Sequence, residues 1–206
     1  MIVIIGAGDH ALETYDILKD IYKVSNDIEE IYFFDEDTYK HGAKHGDSII
    51  INLFGLNNKI RGVLGVGTPH REFIDRCRYY VGEWLTVIHP KAQLCGNITL
   101  GIGNIVRQGV IMMPYSKLED FVQLNVNALI GHHVEVGAYT CIGPGAQIMG
   151  RVQIGKECYI GVGSIILQKL KIADRVTIGA GAVVIKNIDE PNTTWVGNPA
   201  RKLQKR

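Results

Sequence analysis

The chain has almost no net charge. Its 22 basic and 21 acidic residues leave a formal charge of +1, so composition gives no reason to expect DNA, RNA or an anionic membrane surface as a partner. Long apolar runs are missing too. The longest near the start, Ile2 to Ile5, is far too short for a membrane span or a signal-peptide core, and no basic segment precedes it. Cysteine is sparse: Cys77, Cys95, Cys141 and Cys158 form no CxxC pair. Scattered thiols without a secretion signal point to a reducing cytoplasm. Low-complexity segments and long linkers are absent. What remains is 46% hydrophobic over 206 residues, enough for one domain or two small ones.

The dominant signal is a period. From Leu94 to Val184 every sixth residue is aliphatic or Met: Leu94, Leu100, Val106, Met112, Leu118, Leu124, Ile130, Val136, Ile142, Ile148, Ile154, Ile160, Ile166, Ile172, Ile178 and Val184. Two residues before each stands something small or apolar, such as Ala128, Val134, Ala146 or Cys158. A helix repeats at about 3.6 residues and a plain strand at about 2, so neither accounts for a six. A six-residue period fits a coiled parallel sheet in which each hexad is a short strand plus a corner. The aliphatic residue points inward. The Gly that often follows it, as at Gly131, Gly137, Gly143, Gly155, Gly161 and Gly179, is expected to turn the corner. Pro114 and Tyr115 are read as a bulge or loop that keeps the phase. About five coils are expected between residues 90 and 188.

The first 85 residues follow another rule. Met1 to Ile5 reads as a buried strand, followed by Gly6-Ala7-Gly8-Asp9-His10-Ala11 and a helix to about Tyr22. Further strands are expected at Ile31 to Phe34, Ile49 to Ile51 and Val63 to Val66. A second helix should run from Thr68 as N-cap, with Pro69 in its first turn, to about Tyr80. Leu85 to Ile88 then leads into the repeats. This β-α-β-α alternation implies a small parallel sheet of Rossmann type, a half-site for one nucleotide. The domains are therefore 1–85 and 86–206, an α/β Rossmann-like half-domain joined to an all-β parallel β-helix.

Two constellations could carry chemistry. Gly6 and Gly8, between a strand and a helix, let backbone N–H groups approach a phosphate. The acidic cluster of Asp35 and Asp37 closes the second strand, where ribose or base contacts are often made. The second constellation is Ile130-Gly131-His132-His133-Val134-Glu135-Val136-Gly137. With 130 and 134 inward, both imidazoles leave the coil.

The hexads resemble the left-handed β-helix of the hexapeptide-repeat acyltransferases. With the His pair and the N-terminal Gly-rich turn, the chain resembles nucleotide-sugar N-acetyltransferases and their sialic acid O-acetyltransferase relatives, over nearly its whole length. The resemblance implies acetyl transfer from acetyl-CoA, a co-substrate rather than a bound cofactor, to the amine of a nucleotide-linked 4-amino sugar for bacterial surface glycans. It implies a cytoplasmic homotrimer with no metal, nucleic acid or membrane partner. By motif, His132 takes the general-base position: an imidazole suits the proton lost by an attacking amine. His133 stands where the family usually has Asp or Glu. Asn125 falls near the acceptor sugar, and His10 beside the sugar phosphates, with Gly67 in the same site. Asp9 replaces the usual Gly and is expected to point away from phosphate. Cys141 stands where many members have a His that contacts the acetyl donor. Gly150, Val162 and Ala180 match donor-contact positions, and Lys169, Lys171, Lys186, Arg201 and Lys202 are candidates for the CoA phosphates. Trp195 to Arg201 resembles the family's closing segment.

Three other functions are weighed. A zinc hydratase on the same helix needs three converging imidazoles, whereas His132 and His133 are adjacent and expected to diverge. A non-catalytic nucleotide-binding scaffold leaves the His132 motif unexplained. Acetylation of a sugar hydroxyl uses the same base and is the main alternative.

Overall fold

In a computed structural model the chain is described over residues 1–25, 30–53 and 60–204. The hexads wind into a three-sided parallel β-solenoid. Each side of a coil contributes a two-residue strand. Each strand pairs in parallel with the one a full coil on, as in Leu129↔Gln147, Glu135↔Gln153 and Cys141↔Tyr159. Three hexads thus close one coil. The first face carries Val87–Ile88, Ile105–Val106, Gln123–Leu124, Cys141–Ile142, Tyr159–Ile160 and Thr177–Ile178. The second carries Gln93–Leu94, Ile111–Met112, Leu129–Ile130, Gln147–Ile148, Ile165–Ile166 and Val183–Val184. The third carries Thr99–Leu100, Lys117–Leu118, Glu135–Val136, Gln153–Ile154 and Lys171–Ile172. The series from Val106 to Val184 is buried as its period predicts, with Leu94 and Leu100 partly buried at the first turn. The closing segment caps the first face: Thr194–Val196 joins it in parallel, and Arg201–Lys202 folds back antiparallel.

The corners are built differently from the expectation. The glycines after the aliphatic residues do not adopt left-handed backbone. They are small because the coils stack: a Cβ on Gly131, Gly137, Gly143 or Gly161 would lie 2.6–2.7 Å from backbone atoms of the next coil. The left-handed residue comes two positions later, and is often not Gly at all. Tyr115, Phe121, Asn127, His133, Tyr139, Arg151, Glu157, Lys169 and Arg175 all have φ of 56–64°. Such a backbone costs about 1–2 kcal/mol for an L-residue. The stacked coils hold it, since each corner N–H donates to a carbonyl of the preceding coil: His133 to Pro114 (3.1 Å), Arg151 to His132 (2.9 Å), Lys169 to Gly150 (3.0 Å). Pro114 and Tyr115 are an ordinary corner of this kind, with no bulge.

The N-terminal residues form a six-stranded sheet in the order β3-β4-β2-β1-β5-β6. Its strands are β1 (Ile2–Ile5), β2 (Ile31–Phe34), β3 (Lys44–His45), β4 (Ser48–Ile51), β5 (Ile60–Leu64) and β6 (Val81–Trp84). All pairings are parallel except β3–β4. Every residue of β1 is buried, which is why it reads as an unbroken apolar run. Helix α1 (Asp9–Ser25) follows β1 and α2 (Arg71–Cys77) follows β5. The second helix starts later than expected. Pro69 is buried, the chain is still extended at His70 (φ −98°, ψ 114°), and His70 is the N-cap without a side-chain cap bond. The helix also ends sooner, and Val81–Trp84 becomes a sheet strand. Only its two end residues are buried, so period-two alternation is absent from its sequence.

The N-terminal sheet covers the start of the solenoid's first face. Val87, Ile105 and Phe121 belong to its apolar core. Trp84 packs edge-on to Phe121 at 5.2 Å, and Phe121 stacks on Tyr139 at 5.4 Å. Arg78 donates to the Tyr139 hydroxyl at 3.2 Å. Gln123 Nε2 donates to the Val66 carbonyl at 2.8 Å.

Candidate functional site

The β1–α1 turn opens a cleft of about 330 Å³ lined by Gly6, Gly8, Asp9, His10, Asp35, Glu36, Gly67 and Phe73, among others. Gly6 has a φ of +120°, and a Cβ there would lie 2.9 Å from the Gly65 carbonyl oxygen. Ala11 is fully buried, and its Cβ lies against the Gly65 position, so the helix start sits close on the sheet. Asp9, expected to point away, is among the lining residues. It opens α1, where a carboxylate is favoured by the helix dipole. His10 lies across Gly67, where a Cβ would meet its ring at 2.4 Å, and its Nδ1 is 3.1 Å from Glu13.

The acidic cluster divides. Asp35 faces the cleft. Burial pushes its carboxyl up, but the Asp37 N–H at 2.9 Å and the Lys40 ammonium at 3.0 Å outweigh it and hold the group below the ordinary range. Asp37 is not among the lining residues. Its carboxylate accepts the Tyr39 N–H at 3.1 Å in the turn that follows. Glu36 borders the cleft instead, paired with Arg76 at 2.8 Å. Neither Glu36 nor Phe73 was singled out in the sequence, because their role depends on where α2 packs.

A second cleft, of about 400 Å³, runs from His10 to the solenoid. His10, Glu13, His89, Arg107 and Asn125 line it. Arg107 is buried yet reaches Glu13 at 2.7 Å, and its Nε has no partner. Burial lowers its pKa. Asn125 donates to the Ile142 carbonyl (2.9 Å) and toward Cys141 Sγ (3.4 Å). Cys141 in turn approaches the Gly67 carbonyl at 3.6 Å. The Cys141 thiol is buried, and burial pushes it up to about 11. Asn125 and Cys141 on the first face therefore adjoin Gly67, which in turn lies against His10.

His132 and His133 stand elsewhere, at the corner between the second and third faces. Both are exposed. They do not diverge: their Nδ1 atoms are 3.0 Å apart. The left-handed backbone of His133 (φ 58°) turns its side chain back beside its neighbour. Tyr115, one coil earlier, lies 5.0 Å from the His133 ring. The far side of His132 lies over Gly150, where a Cβ would fall 2.5 Å from Nε2. Glu135 is on the third face with Lys117 and Gln153. Val162 and Ala180 occupy a different corner, between the first and second faces, stacked one coil apart and both exposed. Of the predicted donor residues, only Gly150 touches the His pair. Among the basic candidates, Lys202 is held by Glu190 at 2.6 Å and Lys186 lies over the Trp195 ring. Among the described residues no group of three His, Cys, Asp or Glu side chains is arranged to hold a metal ion, and no helix is long and apolar enough to cross a membrane.

Comparison with solved structures returns the same architecture over the whole chain. The acetyltransferase domain of PglB from Neisseria gonorrhoeae FA1090, in complex with acetyl coenzyme A, is 28% identical and superposes with a TM-score of 0.88, covering 98% of each chain. A variant of perosamine N-acetyltransferase from Caulobacter crescentus, in complex with CoA and GDP-perosamine, is 24% identical with a TM-score of 0.86, covering 99% of this chain and 97% of that one. WeeI from Acinetobacter baumannii AYE shares the fold at 20% identity, with a TM-score of 0.87. No protein-family model and no curated protein matches. The chain's structural neighbours include acetyltransferases on the same solenoid, the fold of the hexapeptide-repeat acyltransferases. Among these neighbours the perosamine enzyme is a sugar N-acetyltransferase.

Proposed function

We propose that this protein transfers acetyl from acetyl-CoA to the amine of a nucleotide-linked 4-amino sugar, in the synthesis of bacterial surface glycans. The observation that carries the reading is the His132 imidazole. It is tied through Nδ1 to His133, with Nε2 beside the side-chain-free Gly150, on a fold shared end to end with an acetyltransferase domain that binds acetyl coenzyme A.

The chemistry follows from this placement. The amine lone pair attacks the thioester carbonyl carbon. His132 takes the proton released from nitrogen as the tetrahedral intermediate forms. The C–S bond then breaks, and the thiolate of CoA leaves with a proton returned by the imidazolium. Proximity and a positioned base suffice, with no covalent enzyme intermediate. Cys141, buried with its thiol held protonated, is unsuited to be a nucleophile.

We read residues 1–85 as a Rossmann-like half-domain that holds the nucleotide in the cleft of Gly6, Gly8, His10, Asp35 and Gly67. Residues 86–206 are read as a left-handed β-helix that binds acetyl-CoA. The assembly is a homotrimer. The second face supports this, since its outward residues include Ile111, Leu129, Ile165 and Val183, flanked by exposed Met113, Leu167 and Ile185. The third face offers Thr99, Lys117, Glu135, Gln153 and Lys171 and suits water. His132 with Gly150 lies at one edge of the apolar face, and Val162 with Ala180 at the other. If three copies turn that face to a common axis, one edge of each meets the other edge of the next, so base and donor groove unite only between copies. Nucleotide-sugar and acetyl-CoA chemistry, with free cysteines, fits a cytoplasmic setting.

Thiol release from acetyl-CoA, followed with a panel of nucleotide-linked amino sugars and of sugar hydroxyls, tests the reading. Turnover with an amine acceptor is expected. His132→Ala should lower it by about 10²–10⁴ with CoA binding intact. Turnover only with hydroxyl acceptors would reassign the enzyme to O-acetylation, and full activity of His132→Ala would remove the base.

A further inference from the structure

The contact between the two imidazoles has a protonation requirement. Two Nδ1 atoms 3.0 Å apart make a hydrogen bond only when one carries hydrogen and the other a lone pair. If His132 Nδ1 is the donor, neutral His132 has its lone pair on Nε2. If His133 is the donor, His132 Nε2 carries hydrogen and cannot accept a proton. Only the first arrangement leaves a base at Nε2, the atom that lies against the side-chain-free Gly150.

We propose that His133 is a positioning residue that accepts the Nδ1 hydrogen of His132 and so fixes Nε2 of His132 as the proton acceptor; this rests on the reading of His132 as the base. The acceptor of that hydrogen is thus a neutral imidazole rather than a carboxylate. Among the described residues no carboxylate is hydrogen-bonded or ion-paired with either ring. The titratable or charged groups on the elements around the pair are Tyr115 on the preceding coil, Arg151 on the next and Glu135 on the same coil. Glu135 lines the third-face cleft with Lys117. Tyr115 and the cation Arg151 supply no negative charge at neutral pH.

Two consequences separate this arrangement from a His–carboxylate pair. First, one added proton anywhere on the pair abolishes the base. It sits either on His132 Nε2, or on His133 with the bond reversed so that His132 carries hydrogen at Nε2. Second, the imidazolium formed during turnover faces a neutral partner, so supplying an anion at position 133 should make His132 more basic.

The experiment compares wild type, His132→Ala, His133→Ala and His133→Glu by pH–rate profile, with nitrogen NMR of selectively labelled histidine. Wild type should show His132 bearing hydrogen on Nδ1 at neutral pH. His133→Ala should lose about tenfold in kcat with KM values nearly unchanged, and should lose that tautomer. His133→Glu should restore the tautomer and part of the turnover that His133→Ala loses, with its acid limb moved about one unit higher. Wild-type kcat and pH profile in His133→Ala, or hydrogen on Nε2 of His132 in the active wild type, would overturn the proposal. The first of these results leaves the base reading intact, which fails separately if His132→Ala turns over normally; the second removes the base at Nε2 as well. CoA binding by each variant confirms that the fold survives.

Discussion

Gly150 bears no side chain at the point where His132 needs room. Its backbone is outside the left-handed region, so Ala fits the main chain, but the added Cβ would press on Nε2 at 2.5 Å. Gly150→Ala is therefore expected to fold normally, keep its melting temperature within a few degrees and lose most of its turnover. Thiol-release kinetics beside a thermal melt would check this. The buried thiols give a second expectation at this scale. Burial pushes Cys77 up to about 12, and Cys141 and Cys158 to about 11. An unfolded thiol ionises near pH 8.5. Between that value and 11 the unfolded chain has released protons that the native state retains, so stability is full below the unfolded value and falls as pH rises. Melting temperature measured across pH 8 to 11 should decline along this window, and a Cys141→Ser/Cys158→Ser double variant should show a shallower decline.

Within the solenoid, the coil is the unit of stability. Ile148 is fully buried between strands of neighbouring coils, and Ile148→Ala should cost about 2–5 kcal/mol, read from the denaturation midpoint. Gly137→Ala should also destabilise, for a different reason: its Cβ would meet the Gly155 backbone at 2.6 Å, and two stacked main chains cannot give way as a side chain would. Asn127, left-handed at φ 58°, should tolerate Gly with little change, the relief of backbone strain being offset by greater freedom in the unfolded chain. These contrasts separate the stacking glycines from the true corner residues, which the period alone had merged.

For the whole molecule, the proposed trimer rests on the apolar second face. Leu129→Lys or Ile165→Glu would put a charge into that interface, and either should convert the assembly to monomers by light scattering with loss of acetyl transfer. A monomer that remained fully active would refute a site shared between copies. Much of this protein was legible from its residues. The six-residue period and its inward aliphatic column follow from local geometry, because each hexad is one strand and one corner whatever surrounds it. The outward direction of His132 and His133 follows from the same phase, and β1 and β2 are read from their unbroken apolar runs. What the residues could not specify depends on contacts between distant segments. The stacking role of Gly131 and Gly137 needs the next coil. The bond between His132 and His133 needs the left-handed corner that stacking enforces. The turning of Asp37 away from the cleft, with Glu36 beside it, needs the turn after β2 and the helix α2 against it. The separation of His132 from Val162 and Ala180 onto two edges of one face is a property of the closed three-sided coil. Sequence spacing determined which residues lie inside; only closure of the coil decided which outward residues meet, because that is where positions a full turn apart become neighbours.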